Sequence, residues 1–332
     1  MSKPMDLSLS TEEIRKLNSE DRMEYVSYIR ILYPRAQKIL KRIRYCMKAN
    51  LHSADPKGIM LLGPAGAGKT TLLEIILYEF PRQLTETGTI IPVIMAMIDS
   101  PATIGSLSSR LLQALGDPRY ANGTIFKRMD RTEHLIDDCK VQMVMLDELQ
   151  HVVDRESKKI LQTVSDAIKN LIKTKHVACV LAGLEGEAEQ VVNSNPQLAR
   201  LFSDPIYLGP FEWNDQKPNT ILEFCTLLSE IEKKLPLRDP SKLHERHLAY
   251  RVFVATGGLM GYVMMLIREA TLVALDRGQE SLTIDLLAEV FDLELAKERR
   301  GLQNPFKGPL PDHKPIADRS VEPAKPKKHG RV

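Results

Sequence analysis

Apolar positions recur along the chain in two rhythms, and the change between them divides the sequence. Short apolar runs at Gly58–Leu62, Ile90–Ile98, Val141–Leu146, Val177–Leu181 and Ile206–Leu208 predict five β-strands. Between them, Thr70–Phe80, Pro101–Leu115 and Ser157–Lys173 read as helices. The second repeats Ile104, Leu107, Leu111 and Leu115 at turns, and the third carries Ile160, Leu161, Val164, Ile168, Leu171 and Ile172 on one side. Asp117–Arg131 reads as a basic loop. Strands alternating with helices predict an α/β fold, a parallel sheet sandwiched by helices. After Phe211 the strand signals stop. Asn214–Lys233, Leu243–Ala255, Leu259–Leu275 and Thr283–Glu298 all read as helices, punctuated by Gly257-Gly258 and Gly278. Ahead of the sheet, Ser19–Tyr33 is helical and Pro34 opens a second helix, where a proline is well placed. The predicted organisation is an N-terminal helical segment (1–50), an α/β domain (51–212), a small all-helical domain (213–303) and a Pro/Lys-rich tail (304–332).

The helix after Pro34 turns Ala36, Ile39, Leu40, Ile43 and Met47 to one face and Lys38, Lys41, Arg42, Arg44 and Lys48 to the other. Two readings fit that basic side: a solvated surface, or a helix lying near a nucleotide or a nucleic acid. The whole chain of 332 residues has a net charge of +3. From Lys307 onward there are seven Lys/Arg against three Asp/Glu, so the body ahead of the tail is nearly neutral. A nucleic-acid surface must then be a local patch and not a global field. With 43% hydrophobic residues the chain is not disordered overall, whereas the tail is too poor in apolar residues to bury a core and is expected to be disordered. No apolar run reaches the ~18 residues of a membrane span, and the N-terminus has no signal-like apolar stretch. Cys46, Cys139, Cys179 and Cys225 lack CxxC spacing and read as reduced, mostly buried thiols of a cytoplasmic protein.

The chemistry concentrates in one loop. Gly63-Pro64-Ala65-Gly66-Ala67-Gly68-Lys69-Thr70 matches G-x-x-x-x-G-K-[ST] in full and continues into Thr71; an apolar strand precedes it and a helix follows. Small residues let backbone N–H groups curl around phosphate oxygens, and the helix N-terminus adds positive potential. Lys69 is placed to sit between the β- and γ-phosphates, and the Thr70 hydroxyl to hold Mg²⁺. About eighty residues on, Val141–Leu146 ends in Asp147-Glu148. Asp147 is the second candidate for Mg²⁺, and Glu148 the candidate for polarising an attacking water. Paired acids favour an ATP-hydrolysing enzyme with a strand inserted between the phosphate-loop strand and the acid-bearing strand, a place the sequence offers to Ile90–Ile98. ATP is favoured over GTP because no Asn-Lys-x-Asp guanine-reading motif occurs.

The phosphate loop, the Leu146-Asp147-Glu148 strand and a trailing helical lid resemble the AAA+ ATPases. Leu146–Asp154 (LDELQHVVD), Val180–Val192, Asn195–Trp213 (NPQLARLFSDPIYLGPFEW) and the approach Arg22–Leu40 are similar to the TniB/TnsC family of transposition ATPases, to which phage MuB is related. The resemblance covers roughly residues 20–300. It implies ATP and Mg²⁺ as ligands and homo-oligomeric rings or helical filaments on double-stranded DNA. It also implies recruitment of a transposase to a target site, with a target-selection protein of the TniQ type as a further partner. In such assemblies one subunit's arginine reaches its neighbour's γ-phosphate, and Arg200 stands where that residue would fall; a local surface ion pair is the plainer alternative. The resemblance likewise puts the segment after the second strand near the pore of a ring. Thr103, Lys127, Arg128 and Arg131 are its candidate DNA-phosphate contacts, against the alternative of an ordinary solvated surface.

Two departures from the family pattern change the expectation. Ala182-Gly183-Leu184 occupies the place of a polar residue that senses the γ-phosphate, and the lid turn Gly257–Val263 lacks an arginine, with Arg268 about two turns later. Both gaps point to slow hydrolysis that times disassembly, with ATP acting chiefly as an assembly switch. Two other functions stay open: a scaffold that holds ATP without hydrolysing it and joins a targeting factor to a transposase, and another DNA-associated AAA+ ATPase.

Overall fold

The computed structural model describes residues 9–310 except 52, 54, 55, 87, 101 and 153–157. Seven strands occur among them: β1 (Gly58–Leu62), β2 (Gln83–Thr85), β3 (Gly88–Ile90), β4 (Val93–Met97), β5 (Met143–Asp147), β6 (Ala178–Gly183) and β7 (Ile206–Tyr207). The helices are α1 (Thr11–Ile14), α2 (Ser19–Tyr28), α3 (Pro34–Asn50), α4 (Lys69–Glu79), α5 (Ile104–Leu115), α6 (Ile125–Asp138), α7 (Lys158–Lys175), α8 (Glu187–Asn193), α9 (Pro196–Leu201), α10 (Pro218–Lys234), α11 (Arg246–Thr256), α12 (Met260–Asp276) and α13 (Ile284–Val290). The chain divides into two compact units, one from Leu32 to Pro210 and one that combines residues up to Ile31 with those from Phe211 onward. The segment 1–50 is therefore shared between the units, and is not one body as the sequence suggests. Extended residues after α2 separate the two parts.

In the α/β unit five parallel strands run in the order β4-β5-β6-β1-β7. Side chains alternate across the pleat. Met60, Leu62, Ile94, Ala96, Val144, Leu146, Cys179 and Leu181 belong to the core packed by α5, α7 and their neighbours, and α3 and α4 pack on the sheet as well. Helix α3 buries the apolar face expected of it; on its basic side Arg42 pairs with Asp204 and Arg44 with Glu79, while Lys38, Lys41 and Lys48 are exposed. The strand between β1 and β5 is β6. The Ile90–Ile98 segment supplies the sheet edge instead, because right-handed crossovers, and not sequence order, set neighbours in a parallel sheet. That segment is also broken: Ile90 ends a two-stranded antiparallel hairpin, and Pro92, which has no N–H, offers only its carbonyl, to the amides of Gln142 and Met143.

In the same core, Phe202, just past α9, lies against the first residue of β1. A Cβ built on Gly58 would stand 2.1 Å from the Phe202 ring. The expected loop Asp117–Arg131 is half helix. Thr124 accepts a hydrogen bond from the Lys127 amide and starts α6, which buries only Thr132 and Ile136 fully. So few apolar anchors explain why the periodicity does not show in the sequence.

The second unit is all-helical. Phe211, Trp213, Phe224, Tyr250 and Phe253 form an aromatic cluster, and Arg246 sits over the Trp213 ring. Gly258, at φ +71°, lets its carbonyl take the Phe211 amide at 2.8 Å; a Cβ there would meet the Phe211 oxygen at 2.2 Å. Arg22 of α2 donates both guanidinium nitrogens to Glu280 (2.7 and 2.9 Å) and a third bond to the Pro236 carbonyl. Past α13 one π-turn (Phe291–Leu295) ends the helical run. Residues 304–310 were expected to belong to a disordered tail but are fixed here. Buried Arg251 donates to the carbonyls of Pro305 and Gly308, and Phe306 is buried beside Phe291. The rest of the predicted tail lies outside the described residues. All four thiols are free, three of them buried; burial pushes Cys46 up to about 11. Among the described residues no single helix is long and apolar enough to cross a membrane.

Candidate functional site

The strand register brings the candidate residues to one edge. Leu62 pairs with Gly183 and Met97 with Asp147, so β1, β4, β5 and β6 all end together. Backbone bonds continue past the strands: the Gly63 amide reaches the Gly183 carbonyl at 3.3 Å, and Leu208 donates to Leu62 at 2.7 Å. The C-terminal edge of an open parallel sheet, beside a strand flanked on both sides, is where such folds form ligand crevices.

Gly63–Gly68 forms the turn out of β1. Gly66 and Gly68 have φ of +76° and +98°, the left-handed region that a side chain disfavours, and Gly68 is the N-cap of α4. No side chain caps the helix, so its first amides are open to an anion. Lys69 is buried, and its Nζ donates to the Gly63 and Pro64 carbonyls at 2.7 and 3.0 Å. Burial lowers its pKa, opposed by the charges of Asp147 and Glu148. The Thr70 hydroxyl donates to Oδ2 of the fully buried Asp147 at 2.6 Å. A hydroxyl and a carboxylate oxygen in contact are hard oxygen donors suited to Mg²⁺, and the glycine turn with a lysine behind it suits a polyphosphate. The residues fit both groups.

Glu148 follows with φ +60°, unusual for a side-chain-bearing residue, and its amide donates back to Oδ1 of Asp147 at 2.9 Å. Its carboxylate accepts a hydrogen bond from the Gln150 side-chain amide, and His151 Nε2 stands 3.6 Å from it. Gln150 holds a place that the sequence reading did not assign; among Asp147, Glu148 and His151 one more polar residue carries no signal of its own. Asp99, just past β4, is ion-paired to Arg110, whose hydrogen bond holds its carboxyl below the usual range.

The remaining candidates separate. Arg200 lies in the last turn of α9, is exposed, and has no hydrogen-bond or ion-pair partner among the described residues. Thr103 caps α5, accepting from the Ser106 amide at 3.0 Å. Arg131 is committed to the loop before α6: it donates to Asp117 at 2.5 Å and to the carbonyls of Arg119 and Asn122. Arg128 donates to Ser109 at 2.8 Å. Lys127 is exposed, and its ammonium has no partner among the described residues. In the helical unit Arg268 donates to the Ile29 carbonyl at 2.6 Å.

The sheet order, the phosphate-type loop and the trailing helical unit define an AAA+ fold. Solved structures share it. Cdc6p from Pyrobaculum aerophilum matches with a TM-score of 0.59 and 14% identity over 81% of this chain and 69% of that one. The Aeropyrum pernix ORC2 protein, in ADPNP–ADP complexes, matches with 0.57 and 17% over 79% and 68%, and the ORC1 protein of that organism, in complex with DNA, with 0.57 and 15% over 83% and 70%. No curated protein sequence matches. The profile of the bacterial TniB protein family matches residues 22–212, more than half of the chain, and the protein belongs to that family.

Proposed function

We propose that this TniB-family protein is a bacterial, cytoplasmic ATPase that assembles with copies of itself on double-stranded DNA and, so assembled, recruits a transposase to its target, with a TniQ-type protein as the selecting partner. The observation that carries the reading is the convergence of Lys69, Thr70 and Asp147 on the glycine turn after β1. The Gly63–Thr71 loop binds the triphosphate, with backbone N–H groups from Ala65 onward and the Lys69 ammonium as its donors. Thr70 and Asp147 would hold Mg²⁺, which shields phosphate charge. Glu148 accepts a proton from the attacking water. Arg200, exposed and without a partner among the described residues, supports the role of an arginine offered to a neighbouring copy's nucleotide. The DNA-bound structure of the ORC1 relative agrees with a DNA-associated role. A second reading, a scaffold that keeps ATP unhydrolysed, is favoured by the apolar Ala182 and Gly183 at the end of β6.

The test is ATP turnover and particle size with and without duplex DNA. ATP-dependent assembly on duplex and DNA-stimulated turnover are expected; solitary particles under all conditions overturn the reading, and assembly without turnover selects the scaffold. Lys69→Ala abolishes nucleotide binding, and Glu148→Gln gives assemblies that persist in ATP.

A further inference from the structure

Strand β6 ends in Ala182-Gly183 and runs into Leu184, so no polar side chain stands at its C-terminal end. The space is not left to solvent. Gln150, carried by the 3₁₀ turn Leu149–Val152 directly after Glu148, is only 8% exposed. Its Nε2 donates to Glu148 Oε2, and its Oε1 accepts the Leu184 amide at 3.3 Å. A Cβ at position 183 would stand 3.1 Å from that Oε1 and 2.9 Å from Ala188. The missing side chain on β6 and the position of Gln150 therefore explain one another.

We infer that Gln150 is a positioning residue: it orients the Glu148 carboxylate and ties that orientation to the β6–α8 turn. The inference rests on the hydrolytic reading above. A base needs a third group to hold its direction, and an amide that donates to one carboxylate oxygen leaves the other for water. Glu148 is otherwise faced by Asp147, His151 and the Lys69 ammonium. Gln150 joins the Glu148 carboxylate to the Leu184 amide just past β6, and from there the chain runs through α8 and α9 to Arg200. The 3₁₀ turn itself packs on α8. A displacement of α8–α9 on assembly would reach Glu148 through this turn, and the Gln150 amide would pass it to the carboxylate.

The experiment measures kcat, KM and the affinity for a fluorescent ATP analogue, with full-length protein, Mg²⁺ and duplex DNA. Gln150→Ala removes both bonds. Gln150→Glu keeps the size and an acceptor for Leu184 but sets a second carboxylate against Glu148. Both variants are expected to lose at least about tenfold in kcat, the scale of a misdirected catalytic group, with KM and nucleotide affinity within about twofold, since ground-state binding is untouched. Three results overturn the inference: wild-type kcat in Gln150→Ala, wild-type kcat in Gln150→Glu, or loss of nucleotide affinity parallel to the loss of kcat. A wild-type protein that binds ATP yet turns it over no faster than Glu148→Gln overturns the hydrolytic reading, and the inference falls with it; that outcome is distinct because the reference rate itself is missing.

Discussion

The Thr70 hydroxyl lies 2.6 Å from Oδ2 of Asp147 although the strands that lead to these residues are not neighbours, with β6 standing between them. The bond spans the sheet edge and closes one side of the proposed phosphate site. Thr70→Ala should reduce the gain in ATP affinity on adding Mg²⁺ by about tenfold, roughly one charge-assisted bond, and leave affinity in EDTA unchanged. Thr70→Ser should restore it. Titration of nucleotide with and without Mg²⁺ checks both.

Arg200→Ala should leave the melting temperature unchanged, because an exposed side chain with no partner contributes within about 0.5 kcal/mol. Nucleotide binding by the isolated chain should also persist. DNA-stimulated hydrolysis should fall by about 10³-fold, the scale of a missing arginine finger. A thermal melt and a turnover assay on the same sample separate these effects.

The basic residues around α6 divide by what their side chains already hold. Arg131→Ala strips three bonds from the 117–122 loop, one of them to buried Asp117, and should cost about 2–3 kcal/mol in urea unfolding. Lys127→Ala should leave stability unchanged and, if the exposed ammonium meets a DNA phosphate, lower the slope of log affinity against log salt by about one.

Glu280 gives the helical unit a pH dependence. Hydrogen bonds from Arg22, then from the Arg238 backbone, hold its carboxyl below the usual glutamate range. A carboxylate with a depressed folded pKa contributes its full stability above the unfolded value of about 4.3, and loses it as pH falls through the folded value. Acid unfolding should therefore steepen below about pH 4.3 in the wild type. Glu280→Gln should flatten that limb and lower stability at neutral pH by about 3 kcal/mol, since Arg22 stays buried without its counter-charge.

Much of the candidate site's shape was legible because it is local: Gly58–Thr71 is one strand, one turn and one helix start, and its residues dictate that shape. Asp147 and Glu148 were legible as acids ending an apolar strand. Strand positions were readable for the same reason, but their order was not, since β6 enters the middle of the sheet through contacts more than a hundred residues from β1. Helix α6 escaped notice because Thr132 and Ile136 alone are fully buried. Arg128 and Arg131 looked like free cations because a sequence does not show that the neighbouring loop turns its carbonyls and Asp117 toward them. The link that Gln150 makes between Glu148 and Leu184 was invisible because it joins residues brought together only by the fold.

The Phe202 ring against Gly58 carries a consequence for the history of the chain. The ring fills the volume any larger residue at 58 would claim, so these two sites are free to vary only in concert: relatives with alanine or serine at the first should have traded the phenyl for a slimmer group at the second. Because Phe202 sits two residues beyond Arg200, such paired exchanges would also re-aim the arginine without touching the glycine turn after β1.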